Sequence, residues 1–191
     1  MKLSKKIALC ISLISFSLIV VILFPFIKKE FSYNISTLKA TKTSLKPVDT
    51  HFSILIPKIF VNAPIEKNVD PASREIYQKA LEDKVAHAKG TSLPGQKGNV
   101  YLFAHSSLLP WQNSKYGPVF YLLNKLKAGD RIYLFYNNSQ YTYQVKDITI
   151  VSPDKTGFLY TQTNDYLLTL QTCYPPGFNT QRLIVIASQI R

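Results

Sequence analysis

Near its C-terminal end the chain reads Tyr166-Leu-Leu-Thr-Leu-Gln-Thr-Cys-Tyr174, then Pro-Pro-Gly-Phe-Asn-Thr-Gln, then Arg182-Leu-Ile-Val-Ile-Ala187. The two outer stretches are short apolar runs typical of β-strands, and the Pro-Pro-Gly segment between them indicates a turn. If these runs pair as neighbours, about 4.8 Å apart, Cys173 and Arg182 emerge at the same end of the sheet. A thiol and a guanidinium could then reach one substrate carbonyl.

Further runs outside this pair have the apolar, β-branched and aromatic character of strands: residues 52–56, 59–61, 99–104, 131–136 and 141–151. Asn137-Asn138-Ser139 is typical of a hairpin turn. One helix is expected from Asp70-Pro71 to Gly90, because Ile76, Tyr77, Ala80, Leu81 and Val85 recur at three- and four-residue spacing. A shorter helix is expected over residues 119–126. Seven or eight strands with two small helices predict a mostly β fold, a β-barrel with helical insertions.

Residues 7–27 carry no charge and are rich in Ile, Leu, Val and Phe. This segment is long enough to cross a bilayer as a helix and longer than the apolar part of a cleaved signal peptide, so we expect an uncleaved, lipid-embedded anchor. Its N-terminal flank is the more basic, which predicts that residues 1–6 are cytoplasmic and that the residues after the anchor lie on the outer side of the membrane. Residues 28–50 are polar, which predicts a linker. Residues 51–191 are predicted to form the exported domain, which a single membrane-spanning segment attaches to the cell membrane.

The net charge of +12 does not indicate a nucleic-acid-binding protein. About half of it lies in the first 50 residues, where it suits an anionic membrane or cell-wall surface. No basic cluster in the domain is interleaved with aromatic residues in a way that suggests base stacking. We therefore expect no nucleic-acid partner.

Cys173 is the single cysteine of the exported part, because the other of the two cysteines, Cys10, falls within the predicted anchor. An unpaired thiol in this setting is either a buried apolar residue or a reactive group. His105 ends the strand-like run 99–104, so an imidazole could complete a site with Cys173 and Arg182. A thiolate attacks, an imidazole moves the proton, and an arginine stabilises an oxyanion, which together suit acyl transfer through a thioester.

Several other residues could be given such roles. His51 and His87 are alternative histidines, and His87, late in the first predicted helix, is more often structural. Ser106 and Ser107 could suggest a serine nucleophile, but Ser106 adjoins His105 and should point away from it. Asp147 and Asp165 could orient a histidine as in papain-like enzymes, although those enzymes place the cysteine first in the chain.

The motif Thr-Leu-Gln-Thr-Cys at 169–173, followed by Arg182, resembles the active-site signature of the sortase family. The segment from Val85-Ala86-His87 through Leu93-Pro94-Gly95 to Ala104-His105 resembles the part of a sortase that carries its catalytic histidine. Ile54-Leu55-Ile56-Pro57-Lys58-Ile59 and Ala63-Pro64-Ile65 resemble its opening strands. The resemblance covers residues 52–190 and implies the closed eight-stranded sortase barrel.

The resemblance also implies an activity. A sortase cuts a Leu-Pro-x-Thr-Gly-like sorting signal of a secreted surface protein after Thr and joins the acyl group to an amine of a cell-wall precursor or a protein lysine. Cys173 would be the nucleophile, Arg182 would stabilise the oxyanion, and His105 would transfer protons. His105 is followed by Ser-Ser-Leu rather than the arginine common in the family, and no acidic cluster indicates a calcium site. No metal and no cofactor are expected.

Two rival functions remain open at this point. The chain could be a non-catalytic barrel that binds cell-wall material or a peptide, with Cys173 buried as a structural residue. It could also be a hydrolytic cysteine peptidase of the same fold.

Overall fold

The computed structural model describes residues 12–17, 20, 46–107 and 118–190. The chain divides into two units, Met1–Thr43 and Ser44–Arg191. In the first unit, residues 12–17 are helical, and most of the predicted anchor at 7–27 lies outside the described residues. No helix among the described residues is both long enough and apolar enough to cross a bilayer.

The second unit is a closed barrel of eight strands, in the spatial order β1-β2-β3-β4-β7-β8-β6-β5. The strands are β1 (Phe52–Ile56), β2 (Val61–Val69), β3 (Val85–Ala88), β4 (Gly98–Phe103), β5 (Arg131–Tyr136), β6 (Ser139–Val151), β7 (Tyr166–Tyr174) and β8 (Gln181–Ile190). One α-helix, α1 (Arg74–Ala80), and short 3-10 turns at Pro57–Ile59, Leu123–Lys125 and Thr156–Phe158 lie between them. The predicted mostly β, closed eight-stranded barrel with few helices is confirmed.

Alternation along the strands places the core inside the barrel. In β2 every second residue from Val61 to Ile65 is buried, whereas all five residues of β1 are buried. Phe120 and Leu123, from the segment between β4 and β5, are also completely buried. Each fully buried aliphatic or aromatic side chain contributes about 1.5–3 kcal/mol to folding, so the barrel interior supplies most of the stabilisation.

Two features complete the barrel: the hairpin that joins β5 to β6 and the pairing of β1 with β5. The predicted hairpin between β5 and β6 turns through Asn137 and Asn138, whose φ angles of 48° and 63° give the left-handed turn that matches strand twist. The seam is closed by β1 pairing antiparallel with β5, Phe52 opposite Tyr136. The ring of Phe52 meets that of Tyr136 edge-on, with centroids 5.1 Å apart.

The first predicted helix is wrong in its second half. Helix α1 begins at Arg74, with Ser73 as N-cap, rather than at Asp70-Pro71, and ends at Ala80. Val85 lies in strand β3, which pairs parallel with β2 and antiparallel with β4. Ile76, assigned to the inward face, is 52% exposed. In the folded barrel the residues of β3 form backbone hydrogen bonds to β2 on one side and to β4 on the other. This stabilisation outweighs the helix that their spacing predicts.

The second predicted helix, over residues 119–126, is a series of turns ending in the 3-10 turn Leu123–Lys125. Phe120, Leu122, Leu123 and Leu126 of this segment are buried, but the predicted regular helix does not form. The last residues of the predicted linker contact the barrel, because the Val48 N–H donates to Asn62 Oδ1 at 2.8 Å and Asn62 Nδ2 donates to the Lys46 carbonyl at 2.9 Å.

Candidate active site

Strand order brings the three predicted site residues to one end of the barrel. Strand β7 lies between β4 and β8. In the parallel β4–β7 pair Phe103 lies opposite Gln171, and His105 and Cys173 each follow by two residues. In the antiparallel β7–β8 pair Cys173 lies directly opposite Arg182. The thiol therefore stands on the middle strand, between the strands that lead to the imidazole and the guanidinium.

The two threonines of the 169–173 motif fasten β7 to β4. Buried Thr169 donates from Oγ1 to Asn99 Oδ1 at 2.9 Å. Buried Thr172 donates from Oγ1 to the Ala104 carbonyl at 2.8 Å, and the Ala104 N–H donates to the Gln171 carbonyl at 3.2 Å. These contacts fix the residues beside His105 and Cys173, so the two elements cannot slide past each other without leaving buried polar groups unpaired.

Asn179, in the loop between β7 and β8, joins the thiol to the guanidinium. Its Oδ1 accepts a hydrogen bond from Arg182 Nη1 at 2.7 Å and one from Cys173 Sγ at 3.4 Å. Arg182 Nη1 also donates to the Gln181 carbonyl at 3.0 Å. The remaining guanidinium hydrogens are available to a substrate oxygen, since a guanidinium carries five donors. The sequence pattern did not identify Asn179, because a lone asparagine in a turn carries no functional signal.

A cavity of about 520 Å³ opens over this strand end, and His105, Cys173 and Arg182 all line it. Cys173 is partly exposed there and forms no disulfide. Helix α1 lines one part of the cavity, and the segments that follow β6 and β7 line others. The volume is in the range of ordinary small-ligand and peptide-side-chain sites.

His105 is half-buried, and its backbone carbonyl accepts a hydrogen bond from the Phe120 N–H at 3.1 Å. Burial lowers the pKa of the His105 imidazole below its ordinary value of 6.5, because desolvation disfavours the charged ring. At neutral pH the ring is therefore mainly neutral and able to accept a proton from a thiol or an amine.

His87 has the structural role that the sequence favoured, although it lies in β3 rather than in a helix. It is completely buried, and its Nδ1 accepts from the Asn68 N–H at 3.3 Å. Its Nε2 lies 3.0 Å from the Ser92 carbonyl and 3.0 Å from Thr91 Oγ1. Since a carbonyl can only accept, this network assigns the proton to Nε2. Burial lowers the pKa of His87, and every ring nitrogen is already engaged.

The other alternative residues do not form a competing site. Ser106 lines the cavity, but its Oγ is buried without a hydrogen-bond partner among the described residues, so no base is placed to take its proton. Asp147 lies on β6 opposite Ile186, and Asp165 contacts Thr163 before β7. Neither carboxylate is among the residues that line the cavity.

Two further cavity residues form a polar pair that the motif did not predict. Tyr101 Oη donates to Gln171 Oε1, and both side chains face the cavity. Burial raises the pKa of the Tyr101 hydroxyl, and the positive charge of Arg182 lowers it by a smaller amount, so the phenol stays neutral and remains a donor. In the described part of the chain, no three His, Cys, Asp or Glu side chains are close enough to hold a metal ion.

Comparison with known proteins shows what this chain is similar to. A family model described as Sortase domain matches residues 54–190. Sortase A of Bacillus anthracis is 32% identical over 132 residues, which span 69% of this chain and 56% of the relative. Sortase D of Bacillus subtilis (strain 168) is 29% identical over 136 residues, 70% of this chain and 60% of the relative.

Solved structures give the same result. The crystal structure of sortase C-1 from Actinomyces oris superimposes with a TM-score of 0.63 at 31% identity, covering 84% of this chain and 83% of that one. The match thus extends over the whole barrel. The chain spans less than two thirds of the length of the two curated relatives, 56% and 60% respectively.

Proposed function

This chain belongs to the sortase family, and we propose from that membership that it is a cysteine transpeptidase. It cleaves a Leu-Pro-x-Thr-Gly-like sorting signal of secreted surface proteins and transfers the acyl group to an amine, either of a cell-wall precursor or of a protein lysine. The observation that carries this proposal is the pairing of Cys173 with Arg182 across β7 and β8, at the cavity that His105 also lines.

The exposure of the thiol favours catalysis over a purely structural role. A structural cysteine in a binding barrel would be buried among apolar side chains, whereas Cys173 is partly exposed and contacts the polar groups of Asn179. The strand opposite Cys173 also carries Arg182, a permanent cation that can stabilise negative charge developing on a substrate oxygen.

Acylation follows from the positions of the three groups. His105 takes the proton of the Cys173 thiol, and the sulfur attacks the threonine carbonyl carbon of the signal, forming a C–S bond. The negative charge that develops on the carbonyl oxygen is stabilised by the donors of Arg182. The C–N bond of the scissile amide then breaks, and the protonated His105 gives its proton to the leaving amine. The products are a thioester on Cys173 and the released C-terminal peptide.

Transfer reverses the same proton path. Neutral His105 accepts a proton from the incoming amine as the amine nitrogen attacks the thioester carbonyl. The C–S bond breaks, the new amide bond remains, and the sulfur leaves as the thiolate and regains the proton. An amine must therefore reach the thioester faster than water does, which distinguishes a transpeptidase from a hydrolytic peptidase of the same fold.

The chain is proposed to act at the outer face of the cell membrane. The support for this is the uncharged segment 7–27 and the more basic flank before it, which favour a single-pass anchor with residues 1–6 in the cytoplasm. Residues 28–50 would hold the catalytic domain, residues 51–191, within reach of secreted substrates and cell-wall amines.

Transfer can be separated from hydrolysis with the full-length chain in detergent. Pentapeptides of the Leu-Pro-x-Thr-Gly type with varied side chains are incubated with an amine acceptor, and products are identified by mass spectrometry. We expect a ligated product whose yield rises with the concentration of the amine. Cleavage that gives only the free acid at every amine concentration would identify a peptidase. Binding without any cleavage would instead support the non-catalytic barrel.

Replacing His105 with Gln should remove the proton carrier and leave the fold intact. We expect kcat/KM for an amide donor to fall by about 10²–10⁴-fold. A thioester donor has a leaving group that departs without a proton, so its acylation loses only the part of His105 in removing the thiol proton, and its rate should fall less. His51→Gln, at an exposed histidine outside the cavity, is the matched control and should change neither rate. Equal losses with both donors would contradict the role of His105 as proton donor to the leaving group.

The pH dependence tests the same residue in the unmodified protein. As the pH falls through the lowered pKa of His105, the ring becomes protonated before it can accept the thiol proton, so kcat/KM should decrease on the acidic side. The midpoint of that decrease should lie below the ordinary histidine value of 6.5. A midpoint above this value would indicate that desolvation does not control the residue.

A further inference from the structure

The cavity over Cys173 is lined by positive charges and by no carboxylate among the described residues. Three permanent or near-permanent cations line it, Arg74, Lys155 and Arg182. None of the Asp and Glu residues in the described part of the chain is among its lining residues. A cavity lined by cations and by no carboxylate of the described residues attracts anions more strongly than cations.

The carboxylates near Arg74 and Lys155 in the sequence, Asp70, Glu75 and Asp154, lie outside the cavity lining. Asp70 Oδ1 accepts from the Ala72 N–H at 2.9 Å, in the turn before helix α1. Asp154, next to Lys155, is fully exposed and lies outside the cavity lining; the hydrogen bond from the Ser152 hydroxyl and, to a smaller extent, the charge of Lys155 lower the pKa of its carboxyl. Neither Arg74 nor Lys155 is in an ion pair with another described residue; the pairs Lys58–Asp130 and Lys84–Glu66 lie elsewhere on the barrel.

The elements that carry the two exposed cations outside the strand pair, Arg74 and Lys155, are packed at the cavity. Arg74 lies three residues before Tyr77 on helix α1 and so on the same face. The Tyr77 ring packs edge-on against Phe103 of β4, with centroids 6.4 Å apart, which fixes that face toward the cavity. Lys155 immediately precedes the 3-10 turn Thr156–Phe158, which buried Asn99 ties to β4 by donating from Nδ2 to the Phe158 carbonyl at 3.0 Å.

We propose that this cavity recognises a substrate carboxylate close to the reacting amide or amine, through Arg74 and Lys155. The proposal rests on the transpeptidase function above, in which Arg182 serves the oxyanion and leaves the other two cations for recognition. The carboxylate belongs to the acyl donor, as an acidic side chain beside the scissile bond, or to the acceptor, as an acid group beside its amine. Both sources offer the same chemistry, two oxygens that accept from a guanidinium or an ammonium.

Donor and acceptor are tested separately with the full-length chain. In the donor series, two peptides differ only by Glu or Gln at the variable position of Leu-Pro-x-Thr-Gly. In the acceptor series, glycine is compared with glycinamide as the amine. We expect the carboxylate form to have the higher kcat/KM by about three- to ten-fold in one series, which identifies its source, and the ratio to shrink with added salt.

Charge-removing variants connect that preference to the two side chains. In Arg74→Gln/Lys155→Gln the ratio between carboxylate and neutral substrate should approach one, while turnover of the neutral substrate is retained. Lys127→Gln, at an exposed lysine outside the cavity, is the matched control and should keep the original ratio. If neither series shows a preference while the neutral substrates still react, the carboxylate site is disproved and the transpeptidase function stands.

Binding provides a second measurement that does not depend on turnover. Fluorescently labelled Glu and Gln peptides are titrated with the Cys173→Ala chain, and the ratio of their two dissociation constants is calculated. The same ratio is then determined for labelled peptides joined to glycine or to glycinamide. Tighter binding of a carboxylate form supports the site even if catalysis is lost. Equal binding throughout overturns it.

Discussion

Cys173→Ala is expected to abolish both cleavage and transfer, with kcat/KM reduced by at least about 10³-fold. The variant removes the sulfur that forms the thioester and leaves the β7–β8 pairing in place. Since the side chain is only partly buried, the loss of packing is small and the folded fraction should be unchanged. Activity is measured by chromatography of a Leu-Pro-x-Thr-Gly peptide, and folding by circular dichroism.

Ser106→Ala is the matched control for the nucleophile. Ser106 lines the same cavity, and its Oγ has no hydrogen-bond partner among the described residues, so its removal should cost little. We expect activity close to that of the unmodified chain. Undiminished turnover in Cys173→Ala together with inactivity in Ser106→Ala would show that the wrong residue had been assigned the nucleophilic role.

Arg182→Lys is expected to lower kcat by about 10²–10³-fold with a much smaller change in KM. Lysine keeps the charge, but it is a point donor and cannot hold Asn179 Oδ1 and a substrate oxygen in the fixed fork that arginine provides. The loss should therefore appear where charge develops on the carbonyl oxygen, in the transition state. Single-turnover kinetics with a pre-bound peptide isolate this step.

Arg131→Lys controls for the general effect of such a replacement. Arg131 is exposed at the start of β5 and lies outside the cavity lining, so this variant should retain full activity. If Arg182→Lys lowers only thermal stability, or raises KM without changing kcat, Arg182 orders the β7–β8 loop through Asn179 and does not stabilise the oxyanion.

The strands around the site could be predicted because their signals are local. The apolar runs that end at Cys173 and begin at Arg182 are separated by a proline-rich turn, and such neighbours commonly pair antiparallel. The Asn137-Asn138 hairpin was predictable for the same reason, since asparagine tolerates the left-handed conformation of both turn residues. Residues close together in the sequence therefore determine both the β7–β8 pair and the β5–β6 hairpin.

Strand β3 could not be predicted because its conformation is decided by distant residues. Val85, Ala86, His87 and Ala88 contain two alanines, which favour helix, and Val85 continues the spacing of α1. All four residues are nevertheless buried between β2 and β4, and the ring of His87 contacts Asn68 of β2 as well as Thr91 and Ser92 of the following loop. A rule that considers only near neighbours has no access to the pairing with β2 or to the contact with Asn68.

The site shows the same division between local and distant information. Residue types at Cys173, Arg182 and His105 predicted their chemistry, but the meeting of His105 with the other two depends on the parallel pairing of β4 with β7, which are separated by β5 and β6 in the chain. The cationic lining was not predictable, because Arg74 and Lys155 come from segments that only the closed barrel brings to the same cavity.

Thioester formation at Cys173 is tested by the intact mass of the full-length chain after it is mixed with a donor peptide in the absence of amine and rapidly quenched with acid. We expect a mass increase equal to the acyl part of the signal through its threonine, localised by peptide mapping to Cys173 and removed by hydroxylamine or by an added amine. Cleavage of the peptide with no covalent adduct, or an adduct on any other residue, would contradict it.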